Sequence, residues 1–437
     1  MLLYNEIIFW NDLNELQKKN ILLRPKITKL DNFKKKVKNI LNNVKNFGDD
    51  AILKYNKKFD NINLKQIKVS KDKINNSSYF LKNDLKNAIL TAKKNIQLFH
   101  QNQKCKSLDI HTAVGIRCQQ ITIPIESVGL YVPAGSAPLL STALMLAVPA
   151  HIAGCKNIVL CSPPPITNEI LYISKICNIK NVFEVGGAQA IAALGFGTET
   201  VPKVNKIFGP GNMYVTEAKR QLNKSSLNVS IDMIAGPSEL LIIADETSDP
   251  IFIASDILSQ SEHGHDSQVI VLSDNISILK QTIFQVNQQI HNLSRKDIIF
   301  ESLKNSKFIL TTNLLVCTQI SNIYAPEHLI IQSKYSRNIV KDIINAGSIF
   351  LGKWSPESVG DYASGTNHVL PTHGNSVFAS GLSITDFQKK ITIQELTPFG
   401  LKNIANVVKI LSLSEKMDAH ANAVIVRCNS IKDKYGK

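Results

Sequence analysis

Two short clusters hold the residues of this chain best suited to chemistry: Ser259-Gln260-Ser261-Glu262-His263-Gly264 and Pro326-Glu327-His328. On a helix, Gln260 and His263 stand three residues apart, so an amide oxygen and an imidazole nitrogen share one face. That is half of a metal site, which still needs a carboxylate and a second histidine. The same spacing also describes a solvated helix face. Glu327 and His328 are adjacent and their side chains diverge, which suits acting on one substrate from two directions. Asp361, in the loop Gly360-Asp361-Tyr362, can complete a site with Gln260 and His263, or can simply cap a helix or turn. His420 lies in an expected tail helix. Glu415 precedes it, but Ser412-x-x-Glu415 also spells a capping box. Five residues on a helix rotate by about 140°, so Glu415 and His420 share a ligand only if Glu415 reaches over from the helix end.

The elements that must position these groups follow from hydrophobic periodicity. Residues 31–104 read as helical, with Leu85, Ile89, Ala92, Ile96 and Phe99 forming one apolar stripe. Ile121, Ile123 and Ile125 alternate as a half-buried strand does. Strand-then-helix units follow, with strands at 128–132, 157–161, 182–185 and 204–208. The first of them leads through Pro133-Ala134-Gly135-Ser136 into a helix that reaches about His151. A second run starts at Gly236-Pro237-Ser238, with strands at 240–244, 268–272, 308–311, 329–332 and 348–351. The expected fold class is α/β, with two doubly wound, Rossmann-like parallel-sheet domains plus small helical N-terminal and C-terminal elements. The N-terminal helices are expected to pack on the second block. The chain after Gly381 reads as a separate tail with helices at roughly 398–411 and 413–424.

Composition narrows the function. A length of 437 residues allows two or three domains with their own cores, and 44% hydrophobic with 19% charged residues excludes a disordered chain. The net charge of +15 invites a nucleic-acid reading. Its lysines, however, as in Lys34-Lys35-Lys36 and Lys93-Lys94, lack aromatic interleaving or a binding motif, so no nucleic-acid partner is expected. Cysteines 105, 118, 155, 161, 177, 317 and 428 show no CxxC spacing, so neither a disulfide framework nor a cysteine zinc cluster is expected. The start, Met1 to Glu6, has no signal-peptide pattern, and Leu139 to Ala153 is too short and too interrupted for a membrane span. A cytoplasmic location and no membrane partner are the expectation.

Glycine turns fall after strands, where doubly wound sheets collect ligands. Gly186-Gly187-Ala188-Gln189 and Phe208-Gly209-Pro210-Gly211-Asn212 let backbone amides approach a phosphate or ribose. Neither is G-x-G-x-x-G, and ordinary turns look the same.

Taken together, Ser259-Gln260-x-Glu262-His263-Gly264-x-Asp266-Ser267-Gln268, Ala325-Pro326-Glu327-His328-Leu329 and Gly236-Pro237-Ser238-Glu239 resemble the histidinol dehydrogenase family. Tyr131-Val132-Pro133-Gly135, Phe208-Gly209-Pro210-Gly211-Asn212 and Gly360-Asp361-Tyr362 fit the same pattern, which runs from about residue 20 to the C-terminus. The resemblance implies NAD-dependent oxidation of L-histidinol to L-histidine through the aldehyde, in the last steps of histidine synthesis. It implies one zinc ion per subunit on Gln260, His263, Asp361 and His420, with Ser238, His328 and Glu415 joining them around the substrate. Tyr131, Gln189 and Asn212 would contact NAD, and Glu327 and His328 would be the acid–base pair. A neutral His328 imidazole would have a suitable pKa for the base.

The same resemblance implies a homodimer with shared active sites. Its domains would be an N-terminal helical segment at 1–25, a zinc- and substrate-binding domain from 26–129 with 237–381, an NAD-contacting domain at 130–236, and a tail at 382–437 docking on the partner subunit. His265 departs from the pattern, standing beside the metal segment where a proline is expected.

Three other functions compete. A cysteine-dependent aldehyde dehydrogenase would use Cys118 or Cys155, although both sit in apolar stretches that raise a thiol's pKa. A zinc hydrolase could use the same amide, histidine and carboxylate set to activate water. A basic scaffold would bind DNA with steep salt sensitivity.

Overall fold

Apolar runs rich in Val, Ile and Leu, too short for helices, alternate with helical periods from Ser127 onward and assemble into parallel sheets. The computed structural model describes residues 6–25, 30–104, 106–134, 139–225, 228–233 and 236–435. Gly135, Ser136 and Cys105 therefore lie outside the described residues.

The elements before the first wound block are β1 (Ile7–Phe9), α1 (Glu15–Ile21), α2 (Leu30–Phe59), α3 (Lys71–Asn76), α4 (Asn83–Gln101), β2 (Leu108–Ala113) and β3 (Ile116–Pro124). The block itself runs β4 (Ser127–Tyr131), α5 (Leu140–Ala153), β5 (Asn157–Ser162), α6 (Asn168–Ile176), β6 (Asn181–Glu184), α7 (Gly187–Phe196), β7 (Lys206–Phe208), α8 (Met213–Asn223) and β8 (Ser230–Ile231). The second block runs β9 (Glu239–Ala244), α9 (Pro250–Ser261), β10 (Gln268–Ser273), α10 (Ile276–Gln289), α11 (Lys296–Leu303), β11 (Lys307–Leu310), α12 (Leu314–Tyr324), β12 (His328–Gln332), α13 (Ser336–Ile339), β13 (Ser348–Leu351) and α14 (Glu357–Tyr362). The chain closes with β14 (Gln388–Leu396), α15 (Pro398–Ser414) and α16 (Asp418–Tyr435).

Two compact units result: Met1–Asn102 with Ile125–Phe387, and Gln103–Pro124 with Gln388–Lys437. In the first unit, one sheet has the order β6-β5-β4-β7-β8 and the other β1-β11-β10-β9-β12-β13. All their pairings are parallel. Apart from the added edge strand β1, the two sheets share one winding, in which the first strand of each block is central. The doubly wound α/β class is thus present twice.

The N-terminal helices sit differently from the sequence expectation. α2 packs on α7 and α8, α3 on α6, and α4 on α5, so all three cover the five-stranded sheet rather than the second block. The reason is α5, which is apolar on every side and needs a neighbour on its outer face, supplied by Ile89, Ala92 and Ile96 of α4. The segment expected to be only helical also forms β1, which pairs with β11.

The second unit holds an antiparallel sheet of order β14-β3-β2, with α15 and α16 packed on each other. The tail therefore contributes a strand as well as two helices, and the helices break later than expected. Ser412 lies inside α15, where its hydroxyl donates to the Val408 carbonyl (2.7 Å) instead of capping a new helix. Glu415 is the C-cap of α15, and Lys416 turns the chain with φ of 60°. Glu415 and His420 consequently lie on different helices, and the single-helix rotation does not apply to them.

Candidate active site

β9 and β12 are neighbours at the point where the six-stranded sheet reverses its winding. Doubly wound sheets usually place ligands off the carboxyl ends of their strands. Here the reactive groups gather at the amino ends, since Glu239 is the first residue of β9 and His328 the first of β12. The backbone of one residue organises the pair. The Glu239 N–H donates to Glu327 Oε2 (2.9 Å), and the Glu239 carbonyl lies 3.2 Å from His328 Nδ1. With Nδ1 donating to that carbonyl, Nε2 is the basic nitrogen of the neutral ring. Nε2 is buried without a hydrogen-bond partner and faces Asp361 Oδ1 at 3.7 Å. An orphaned buried polar atom costs about 1–3 kcal/mol, so a bound hydroxyl or amine would be favoured at that atom.

Beside this pair lies the candidate metal cluster. Gln260 is in the last turn of α9, and His263 falls just beyond the helix end rather than on it. Asp361, expected in a loop, is on the short helix α14, four residues after Glu357. That spacing puts two carboxylates on one face. His263, Glu357 and Asp361 offer ligand atoms that all lie within 4.8 Å of one another. His263 Nε2 and Asp361 Oδ2 are 4.0 Å apart, close to the roughly 3.4 Å between ligand atoms of a tetrahedral zinc site with bonds near 2.0–2.1 Å. The partial negative charge at the α9 C-terminus adds to the attraction for a cation. The donor set of amide, imidazole and carboxylate fits zinc.

Glu357 was not singled out from the sequence. It is 1% exposed. With the Gln260 amide nitrogen turned toward it, that nitrogen donates to Glu357 Oε1 (2.5 Å) and Oε2 (3.0 Å). Its four-residue spacing from Asp361 was the available signal. His368 is a second addition: its Nδ1 donates to the Asp361 carbonyl (2.8 Å), and the Thr142 hydroxyl lies 3.2 Å from its Nε2.

Burial sets the protonation states. Desolvation pushes the Glu327 and Glu357 carboxyls up to about 8, despite the nearby His328. Desolvation alone would lower His328, but Glu357, Glu327 and Asp361 outweigh it and raise it well above the ordinary histidine value. The expectation of a neutral His328 is therefore not met without a cation, because three carboxylates surround the ring. Burial works against Asp361 too, yet His328, His368 and His263 hold it below the usual carboxylate range. Desolvation keeps His263 low, favouring the neutral form that ligates metal.

The nicotinamide candidates lie off the carboxyl ends of the five-stranded sheet, as the winding rule expects. Tyr131 ends β4 at 3% exposure, and burial pushes its phenol up to about 12. Its oxygen accepts from the Gly187 N–H at 3.1 Å. Gln189 is buried in the first turn of α7. Asn212 caps α8, accepting from Tyr214 N–H (3.0 Å) and Val215 N–H (3.2 Å). The turn before Asn212 is held by close contacts. Gly209 has φ of 119°, and a Cβ there would collide with the Tyr131 carbonyl. Its N–H donates to Asp232 Oδ2 (2.7 Å), and buried Lys219 bonds both the Gly209 carbonyl (2.5 Å) and Asp232 (2.7 Å).

Of the remaining expected residues, Ser238 is half-buried immediately before β9. Glu415 and His420 belong to the second unit, both exposed. His265 is exposed and its carbonyl accepts from Asn305 (3.2 Å), so the turn is tied down. Cys155 is buried, and desolvation pushes its thiol up to about 12, which disfavours a nucleophilic role. Among the described residues, no helix is long and apolar enough to cross a membrane.

A twice-repeated doubly wound sheet and a carboxylate–imidazole pair beside a metal-type cluster define an α/β protein with an enzyme-type site. A model of the histidinol dehydrogenase family matches residues 23–428. The histidinol dehydrogenase of Buchnera aphidicola subsp. Schizaphis graminum is 56% identical over 431 residues, covering 99% of each chain. That of Escherichia coli (strain K12) is 51% identical over 430 residues, covering 98% of this chain and 99% of its own. The crystal structure of histidinol dehydrogenase from Elizabethkingia anophelis matches with a TM-score of 0.93 and 46% identity, over 96% of this chain and 97% of that one. The chain belongs to the histidinol dehydrogenase family.

Proposed function

We propose that the protein oxidises L-histidinol to L-histidine through L-histidinal, using His328 and Glu327 as its acid–base pair. The observation that carries this reading is the His328 Nε2, buried, unpartnered and 3.7 Å from Asp361 in the candidate zinc cluster. NAD supplies the hydride acceptor, used twice, and Tyr131, Gln189 and Asn212 would hold it. Zinc on Gln260, His263, Asp361 and His420 would supply a Lewis acid that grips the amine and imidazole of histidinol. A cation held by Asp361 and its neighbours would offset the three carboxylates around His328 and return the ring toward a base. His328 Nε2 then takes the hydroxyl proton as the alcohol becomes an aldehyde. The same cation would lower Glu327 from its raised value, so that its carboxylate takes a proton from the water that adds to the aldehyde, and that water's oxygen ends in the histidine carboxylate.

Ser238, Glu415 and His420 complete the substrate contacts in this reading. The last two reach the site from a partner subunit, in a cytoplasmic homodimer. Exposed Phe399, Val407, Ile410 and Leu411 on α15 support docking, because a small unit with such an apolar face favours a cover. An N-terminal segment at 1–25, an NAD-contacting block at 130–236 joined by α2 to α4, a zinc- and substrate-binding block at 237–381 and a tail at 382–437 belong to the same reading. Purified protein supplied with histidinol, NAD and zinc should yield histidine and two reduced NAD per histidine; absence of both products would overturn the assignment.

A further inference from the structure

Glu239, in the Gly236-Pro237-Ser238-Glu239 segment, has no role in the chemistry above, yet its backbone N–H and carbonyl touch both catalytic side chains. Its own carboxylate is 2% exposed and is held by one cation. Arg24 Nε donates to Glu239 Oε1 at 2.5 Å and Arg24 Nη2 to Oε2 at 2.9 Å, a fork that fixes the carboxylate in two places. The His373 N–H donates to the same Oε1 at 2.9 Å.

Arg24 also reaches the other strand. Its Nη2 donates to the Tyr324 carbonyl (2.6 Å) and the Ala325 carbonyl (3.4 Å), and the guanidinium stacks on the Tyr324 ring at 4.1 Å. Tyr324 and Ala325 form the turn that delivers Pro326-Glu327-His328 into β12. Ala325 has φ of 52° there, a left-handed conformation that a non-glycine residue holds only when its surroundings impose it. The Ser376 hydroxyl gives the same carbonyl a further bond at 2.8 Å.

We propose that Arg24 is a positioning residue for catalysis, clamping the amino end of β9 to the Tyr324-Ala325 turn so that the Glu239 backbone holds Glu327 and His328 in register. Arg24 touches neither the candidate metal ligands nor the nicotinamide candidates. Lysine at this position keeps the charge but cannot fork onto Glu239 while also reaching the turn. The inference rests on the assignment of Glu327 and His328 as the acid–base pair.

Arg24→Lys and Glu239→Gln, made singly and together, test it alongside Glu327→Gln and His328→Asn. Each clamp variant should lose on the order of 10–100-fold in kcat with both histidinol and histidinal, the loss expected from displacing reacting groups by about 1 Å. KM should stay within about threefold, zinc content should stay at wild-type level, and the thermal midpoint should move little. The double variant should be no worse than the poorer single one, because the two residues act as one unit. A folded clamp variant with kcat within twofold of wild type would overturn the proposal. So would a loss that tracks zinc content or thermal midpoint, or failure of both variants to fold, since the clamp would then serve the fold alone. Full activity of Glu327→Gln and His328→Asn would instead remove the acid–base assignment on which the proposal rests.

Discussion

Gln260 commits its amide nitrogen to both oxygens of Glu357, at 2.5 and 3.0 Å, which leaves the amide oxygen as the atom available to a cation. Removing that anchor should let the amide rotate. Glu357→Ala is expected to weaken zinc binding by about 10–100-fold, the range for lost support of a metal ligand. Titration with a competing chelator reads this directly; unchanged affinity would dismiss the anchoring role.

Asp361 and Asp266 give a second, independent check on the cluster. Asp361 faces His263 and His328, whereas Asp266 is exposed and remote from them in role. Asp361→Ala should strip most zinc from dialysed protein and Asp266→Ala little. Equal zinc content in the two variants would remove Asp361 from the ligand set.

The two half-reactions separate the acid–base pair. His328→Asn should slow oxidation of both histidinol and histidinal by about 10²–10⁴-fold, as loss of a general base does. Glu327→Gln should impair histidinal oxidation more than histidinol oxidation, because only the aldehyde step needs an activated water. Equal losses on the two substrates for Glu327→Gln would refute this division.

Stability of the metal-free protein should fall as pH rises. Unfolded glutamates ionise near about 4.3, while Glu327 and Glu357 are pushed up to about 8 in the folded chain. Between those values the native state keeps protons that the unfolded state has released, so higher pH favours unfolding. His328, raised as well, acts in the same direction above the ordinary histidine pKa. Urea midpoints measured from pH 5 to pH 8 should decline, and the Glu327→Gln, Glu357→Gln double variant should flatten the slope. A midpoint rising with pH across that window would count against buried, protonated carboxyls.

The tail can be assigned to a subunit by mixing two inactive variants, His420→Ala and His328→Ala, under subunit exchange. If each tail serves its partner, a mixed dimer holds one intact site of two. Random pairing then returns about a quarter of wild-type activity. No recovery after verified exchange would mean that each chain builds its site alone.

Most of the strands were legible because buried parallel strands are nearly unbroken apolar runs, and runs such as Leu240 to Ala244 admit little else. The docking of α2 to α4 was not legible: the Ile89, Ala92 and Ile96 stripe announces a buried face without naming the surface that buries it. β14 escaped because a strand with eight exposed positions of nine has no burial pattern to display. In the site, Gln260, His263, Glu327 and His328 stood out through rare residue types in close order. Glu357 did not, because one acidic residue in a first helical turn is ordinary. Nor could residue order reveal that Glu239 and His328 meet at the amino ends of their strands.

The contacts that set Glu327 and His328 come from the main chain of Glu239, and every residue but proline carries the same main-chain donor and acceptor. Most side chains around such a contact can change and leave it standing. Selection then needs to guard only the few positions that keep the peptide in place. Substitutions elsewhere on a chain of net charge +15 then leave these contacts intact as long as those few positions hold.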